Sequence, residues 1–332
     1  MIKVAINGFG RIGRLTLREM TNNDKLEVVA INDLADPSML SYLLKYDSIH
    51  GRFEKSVDYT ENALLVDGKK IAVYTERDPH RLPWGKDKVD LVIECTGIFE
   101  SKEKASAHLE AGAKKVIISA PSDKDVKTIV FNVNHQLLDT QDELISCASC
   151  TTNCLAPMAK VINDHFGIIV GQMTTIHAYT NSQPLMDTPD PKVNYRKSRA
   201  AGDSIIPYTT GAAKAIGLVI PELAGKLDGS SQRVPVHAGS VVELFTLLEK
   251  ETSVKEINAT MQAAANESYG YTEDFIVSAD TLGIRYGSLF DATQTKIVAV
   301  GDRQLVKTVS WYDNEMSFVS QMVRTAVYFG AL

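Results

Sequence analysis

The 332-residue sequence predicts an α/β protein, with a doubly wound parallel sheet in its first 150 residues and a second domain built on a mostly antiparallel sheet. Three observations carry this. Short apolar runs recur through the first half with helical segments between them, a glycine-rich turn joins the first run to the first helix, and beyond residue 168 the runs lengthen and fill with Val and Thr. The length suits two domains at roughly 150 residues each. A hydrophobic content of 44% excludes global disorder.

Residues 2–6 (Ile-Lys-Val-Ala-Ile) stop at a glycine turn, as a buried parallel strand does. Residues 11–21 follow with Ile12, Leu15 and Met20 at helical spacing, and 26–31 form a second apolar run. Strand, crossover helix and strand make a right-handed βαβ unit. Strands at 89–94, 115–119 and 128–131 continue the pattern; 101–112 reads as a helix with Ser101 at its N-cap and Gly112 near its C-cap. A strand at 144–147 leads into a helix over 152–165. Residues 168–177 then predict a strand and 178–204 a long polar loop with three prolines. Strands at 229–236, 239–248, 288–300 and 304–311, a helix at 253–266 and a closing helix at 314–329 complete the chain. The implied domains are 1–149, with 315–332 packing back on it, and 150–314.

Composition narrows the function. Thirty-five Lys+Arg against 41 Asp+Glu give a net charge of −6, which offers no footprint for nucleic acid. No apolar run approaches the roughly 18–20 residues that span a membrane. The N-terminus enters a strand without a signal-peptide layout, so a cytoplasmic protein is expected. Four cysteines are too few for a disulfide scaffold, and three of them crowd into 147–154.

Two motifs carry chemistry. Asn7-Gly8-Phe9-Gly10-Arg11-Ile12-Gly13 is a Gly-x-Gly-x-x-Gly run between a strand and a helix, the context that turns a weak motif into a dinucleotide site. Gly8 permits the tight turn, Gly10 lets a pyrophosphate approach, and Gly13 lets the helix lie close to the sheet. Asp33 ends the second strand, where a carboxylate accepts from a ribose 2′-OH and repels a 2′-phosphate, favouring NAD over NADP. The alternative is a structural glycine turn with a surface Asp. The second motif is the cysteine cluster. Cys150 falls at a helix start, where the dipole favours a thiolate and is expected to depress its pKa. Cys154 lies one turn deeper and is expected to pack; Cys147 and Cys95 suit core positions, and a 150/154 redox pair is the rival reading. Among seven histidines, His177 ends a strand before the long loop and is the candidate base; the other six look like ordinary surface residues. No His/Cys spacing suits zinc, so no metal is expected.

Together these segments resemble phosphorylating glyceraldehyde-3-phosphate dehydrogenase. The resemblance runs through residues 7–14, 43–53 (Leu-Leu-Lys-Tyr-Asp-Ser-Ile-His-Gly-Arg-Phe), 148–157 (Ala-Ser-Cys-Thr-Thr-Asn-Cys-Leu-Ala-Pro), 174–180, 211–217 and 311–315. It implies a Rossmann NAD-binding domain, glyceraldehyde 3-phosphate and inorganic phosphate as substrates, and 1,3-bisphosphoglycerate as product in glycolysis. Cys150 would attack the aldehyde and His177 act as base. Thr180 and Arg233 would hold the substrate phosphate; Ser149, Thr151, Thr210 and Gly211 would hold the attacking phosphate. Arg11, Ile12, Arg77, Thr96, Ser119 and Asn314 match cofactor contacts, and Pro189 fits NAD preference. The 180–203 loop matches the segment that reaches a neighbouring subunit in a homotetramer. The chain departs from the pattern at Lys197, where an arginine is usual, and at Phe318, where a tyrosine is usual. Erythrose-4-phosphate dehydrogenase, which shares the cysteine motif, is the close alternative. A binding or adhesin role is the alternative of another class.

Overall fold

The computed structural model describes residues 1–301 and 303–332. Its contacts divide into two compact units, Met1–Ser149 with Met322–Leu332, and Cys150–Gln321.

The first unit follows the βαβ expectation: β1 (Ile2–Asn7), α1 (Arg11–Met20) and β2 (Leu26–Asn32), with β1 and β2 parallel. Helix α2 (Pro37–Lys45) is capped by Asp36, whose carboxylate accepts from the Ser38 N–H. Next comes a stretch that the apolar pattern passed over: antiparallel β3 (Val57–Thr60), β4 (Ala63–Val66) and β5 (Lys69–Tyr74). Asp67 and Gly68 turn β4 into β5 with φ of 48° and 75°, the left-handed pair of a tight hairpin. Helix α3 (Trp84–Asp87) precedes β6 (Leu91–Glu94). The predicted 101–112 helix is two pieces, α4 (Lys102–Ala105) and α5 (Ala107–Glu110), broken where the Ser106 hydroxyl donates back to the Lys102 carbonyl. Strands β7 (Lys115–Ile118), β8 (Lys127–Thr128) and β9 (Leu144–Ser146) follow; the strand expected at 128–131 ends at Thr128.

The nine strands run β3-β4-β5-β2-β1-β6-β7-β9-β8. From β1 the chain winds outward through β2 and later through β6 on the other side, so a topological switch point lies at β1/β6. Period-two alternation sorts side chains to opposite faces. Ile6 and Ile31 pack with Leu17, Leu40 and Leu44, while their neighbours Ala5 and Ala30 pack with Trp84, Val92 and Val116. Both faces are therefore covered, which is why these strands are apolar throughout.

The second unit opens with α6 (Cys150–Phe166), two residues longer at its start than its pattern predicts, and β10 (Ile168–Ala178). Among the described residues no helix or strand falls between Ala178 and Ile206. Then come β11 (Ile206–Tyr208), α7 (Ala212–Val219), β12 (Leu227–Val234), β13 (Ser240–Leu248), α8 (Val254–Ala263) and β14 (Tyr269–Thr272). The single strand expected over 288–300 is two, β15 (Ser288–Asp291) and β16 (Lys296–Val300), because the Asp291 carboxylate accepts from Thr293 N–H and winds a 3-10 turn between them. Strand β17 (Arg303–Tyr312) and helix α9 (Met316–Ala331) close the chain. The sheet is mixed: β10–β12 and β14–β15 are parallel, and the other ladders are antiparallel. Along β13 every second residue is buried, the signature of one core-facing and one outward face.

Candidate active site

In the first unit a pocket of about 420 Å3 opens at the carboxyl ends of β1, β2 and β6, the place where doubly wound sheets take ligands. It brings together Gly8, Gly10, Asp33, Arg77 and Thr96. The glycines fit a dinucleotide on steric grounds. Gly8 has φ +89°, and a Cβ there would stand 2.7 Å from the Thr96 nitrogen; a Cβ on Gly13 would fall 2.1 Å from the Gly8 carbonyl oxygen. A Cβ on Gly10 would meet nothing within 4 Å, so that backbone faces open space. Gly10 also caps α1 without a side-chain hydrogen bond, so no cap side chain covers the helix N-terminus. Asp33 is held at the rim by the Phe9 N–H at 2.7 Å and the Ala35 N–H at 2.9 Å, one on each oxygen. Arg11 turns its guanidinium to Asp47 at 2.6 Å and is not among the residues lining the pocket. Burial works against the Asp47 charge, but the His50 and Ile49 N–H groups and Arg11 outweigh it and hold the carboxyl at about 2. Ile12 is half-buried in the first turn of α1, and Ser119, at the end of β7, donates its N–H to the Glu94 carbonyl.

Beneath this pocket lies a polar network that sequence reasoning missed. His108, expected at the surface, is wholly buried, as is His135 nearly so. The Trp84 Nε1–H donates to His108 Nδ1 at 3.0 Å, and an indole can only donate. Nδ1 is therefore the acceptor, and the ring proton sits on Nε2, 3.0 Å from Glu94 Oε2. Asn7 Nδ2 donates to the same oxygen at 2.6 Å, while the Thr96 N–H (2.7 Å) and hydroxyl donate to Oε1. Glu94 thus meets only donors. Asn32 extends the network, its Nδ2 donating to Asn7 Oδ1 (2.7 Å) and to the Glu76 carbonyl and its Oδ1 accepting from the Glu76 N–H. Three strand ends are tied in this way. The sole sequence signal was a Glu ending an otherwise apolar strand. Cys95, expected in the core, is half-buried and packs against it while also lining the pocket; burial pushes its thiol well up.

The second unit holds the cysteine. Cys150 is the first residue of α6 and half-buried. Just before it, in the first unit, Ala148 has φ +59°, a conformation an L-residue adopts only under constraint. Its N–H is held by the Ser146 hydroxyl at 3.0 Å. His177 stands at the end of β10 with Nε2 3.4 Å from Cys150 Sγ. In register, His177 is the direct partner of Arg233 on β12, and Arg233 Nη1 lies 2.7 Å from His177 Nδ1. The Ala178 carbonyl oxygen is 2.6 Å from the same nitrogen and 2.9 Å from Arg233 Nη1. Burial, then the Arg233 cation, push the His177 imidazolium down to about 3. The depressed Cys150 pKa expected from the helix start is not what the site gives: burial raises it, and the Arg233 charge with the Thr151 hydroxyl and N–H only oppose that. The buried Tyr312 of β17 packs edge-on against His177, ring centroids 5.8 Å apart. The Thr175 hydroxyl is 3.2 Å from the Val241 carbonyl, to which it donates, and it accepts from Tyr312 OH at 2.8 Å; the Tyr312 and Thr151 hydroxyls are 2.9 Å apart. Cys154 is buried against the Ser310 carbonyl, 3.6 Å away. No group of three or more metal-ligating side chains occurs among the described residues.

The remaining candidates are dispersed. Thr180 shares a hydrogen bond with Ser182, and the Thr210 hydroxyl accepts from Ala212 N–H at the start of α7, with Gly211 at the N-cap. Ser149 is the last residue of the first unit's long segment. Asn314, in the second unit, is buried and takes a 3.4 Å bond from Ser240. Lys197 stands 3.8 Å from Asp190, and Phe318 is buried.

A mostly parallel sheet with a glycine turn at its switch point, followed by a unit that pairs a cysteine with a histidine, is the arrangement of a dinucleotide-dependent dehydrogenase. Residues 2–102 match the family model for the glyceraldehyde 3-phosphate dehydrogenase NAD binding domain, and 149–314 match that of the C-terminal domain. Glyceraldehyde-3-phosphate dehydrogenases from Clostridium pasteurianum, Clostridium acetobutylicum and Streptococcus pyogenes serotype M1 are 64%, 62% and 58% identical, each over 100% of this chain and 99% of the relative. The chain belongs to the glyceraldehyde-3-phosphate dehydrogenase family and is an NAD-dependent dehydrogenase. No helix among the described residues is long and apolar enough to cross a membrane.

Proposed function

We propose that the chain oxidises D-glyceraldehyde 3-phosphate to 1,3-bisphosphoglycerate through a covalent intermediate on Cys150. The 3.4 Å approach of His177 Nε2 to Cys150 Sγ carries this reading. His177 takes the thiol proton; the thiolate adds to the aldehyde carbon as a thiohemiacetal. The Cys150 N–H and His177 steady the oxyanion. NAD, held at the glycine turn and Asp33, would supply the acceptor for the hydride of the thiohemiacetal carbon, once His177 has returned the thiol proton to the oxyanion. His177 removes the hydroxyl proton in the same step, and the resulting thioester is cleaved by inorganic phosphate, which conserves the oxidation energy as an acyl phosphate. Cys150 then leaves as thiolate.

Arg233 and Thr180 hold the substrate phosphate, and Ser149, Thr151, Thr210 and Gly211 the attacking one. Supporting this, the Arg233 guanidinium reaches His177 beside Cys150. NAD binds through Gly8, Gly10, Arg11, Ile12, Gly13, Asp33, Arg77, Thr96 and Ser119, with Asn314 orienting the carboxamide. Residues 1–149 with the closing helix serve the cofactor, and 150–314 the chemistry. The protein works as a cytoplasmic homotetramer. In its 180–203 loop Leu185, Met186 and Tyr195 are exposed at 81%, 72% and 83%, apolar surface suited to a neighbouring subunit.

The test is NAD reduction with glyceraldehyde 3-phosphate and erythrose 4-phosphate, each with and without inorganic phosphate. The expected result is turnover that prefers the triose and requires phosphate. Phosphate-independent turnover would sink the acyl-phosphate step, and preference for the tetrose would assign the alternative dehydrogenase.

A further inference from the structure

Arg233 carries its charge without a carboxylate. It belongs to no ion pair among the described residues, and Asp187 and Asp190 of the 180–203 loop are turned to Arg199 and Lys197 instead. Its Nη1 donates to the Ala178 carbonyl oxygen at 2.9 Å, and its Nε is buried with no acceptor. What flanks the cation is an aromatic face: the guanidinium carbon lies 5.3 Å from the centroid of the Tyr208 ring. The β11–β12 register explains the contact. Tyr208 pairs with Ser231 and Ile206 with Arg233, so all four side chains share one sheet face and Tyr208 is the diagonal neighbour of Arg233. Ser231, directly opposite Tyr208, is small and buried, so the ring can lean across it.

We propose that Tyr208 is a positioning residue for the phosphate end of the substrate, resting on the reading that Arg233 holds that phosphate. A carboxylate in the same place would also fix the guanidinium, but it would neutralise the charge and occupy the N–H donors that a phosphate needs. An aromatic face attracts the cation through the ring quadrupole and takes none of those donors. The guanidinium therefore loses rotational freedom while its charge stays unspent, and an incoming phosphate meets a donor already arranged. An uncompensated cation is costly to hold in a half-buried setting, and the ring offsets part of that cost until the dianion arrives. The contact bears on the phosphate of the substrate and not on its aldehyde. Tyr208 thus favours the phosphorylated aldehyde over the bare one.

The test compares glyceraldehyde 3-phosphate with unphosphorylated D-glyceraldehyde on the full-length protein, with NAD and inorganic phosphate saturating. Tyr208→Leu is expected to raise KM for the triose phosphate about three- to tenfold with kcat nearly unchanged, and to leave kcat/KM for glyceraldehyde unmoved. Tyr208→Phe keeps the ring and should stay within about twofold of the unaltered protein on both aldehydes. Equal losses on the two aldehydes in Tyr208→Leu would mark a merely structural residue and overturn the proposal. A Phe variant as impaired as the Leu variant would overturn it too. A triose-phosphate KM unmoved in Tyr208→Leu but raised in Arg233→Met removes the role of Tyr208 and leaves the phosphate reading standing; a KM unmoved in both overturns the two together. Should Tyr208→Leu not fold, phenylalanines of rising fluorination placed at position 208 keep the shape of the ring and weaken its quadrupole. The triose-phosphate KM should then climb step by step, and a flat series overturns the proposal.

Discussion

At the residue scale the chemistry rests on a few atoms whose settings are not local. Cys150 sits at a helix start, yet the thiol is raised because burial outweighs the help from Arg233 and Thr151. In the proposed mechanism activation comes from His177, and that is testable. Cys150→Ser puts a far less acidic hydroxyl beside the same histidine; kcat is expected to fall by about 10⁴-fold or more while NAD titration is unchanged. Activity within tenfold of the unaltered protein would remove Cys150 from the mechanism. His177→Asn should cost about 10²–10⁴-fold in kcat and slow alkylation of Cys150 at neutral pH. Unaltered alkylation would show that the thiol needs no base.

At the scale of elements, strand ends do the positioning. The carboxyl ends of β1, β2 and β6 are joined by Asn7, Asn32 and Glu94, and Glu94 holds Thr96 by its N–H. In Glu94→Gln the amide oxygen stays with Asn7 and His108, whose donors have no other acceptor. The amide NH2 then meets the Thr96 N–H donor to donor. One buried unsatisfied bond costs about 1–3 kcal/mol, so NAD affinity is expected to fall about tenfold or more. The glyceraldehyde 3-phosphate KM at saturating NAD should be nearly unchanged. Calorimetric NAD titration equal to the unaltered protein would make the network irrelevant to the pocket. In the second unit, the β10–β12 ladder sets His177 against Arg233, and β17 delivers Tyr312. A one-residue slip of β12 would send Arg233 to the opposite face.

At the scale of the whole molecule, the buried charges set the acid limit. The folded His177 holds its proton at about 3 against an ordinary 6.5, so the unfolded chain binds more protons between those values. Stability from this group is complete above about 6.5 and is lost as pH falls toward 3. Asp47, folded at about 2 against 3.8, adds a second loss below the ordinary carboxylate range. Denaturant midpoints should therefore decline steadily from pH 7 to pH 4, with the upper part of the decline absent in His177→Gln. A flat profile would place His177 in a more hydrated setting than its burial indicates.

Much of this was legible in the chain. Apolar runs separated by helical periodicity located β1, α1, β2, β6, β7 and β9, since strands buried on both faces have little choice of composition. The glycine spacing marked the turn at the first unit's pocket, and the Cys150 segment marked the proposed nucleophile. The β3–β5 hairpins went unread although Asp67-Gly68 is a recognised turn pair, because their short strands alternate weakly. What only the tertiary structure decided has one cause: burial and register are long-range. His108 is a surface residue or a buried ring depending on whether Trp84 and Glu94 close over it. Arg233 is 56 positions from His177 in sequence and 2.7 Å from it in space. The residue types that make the chemistry possible are written locally; which proton each one holds is set by neighbours that the fold brings in.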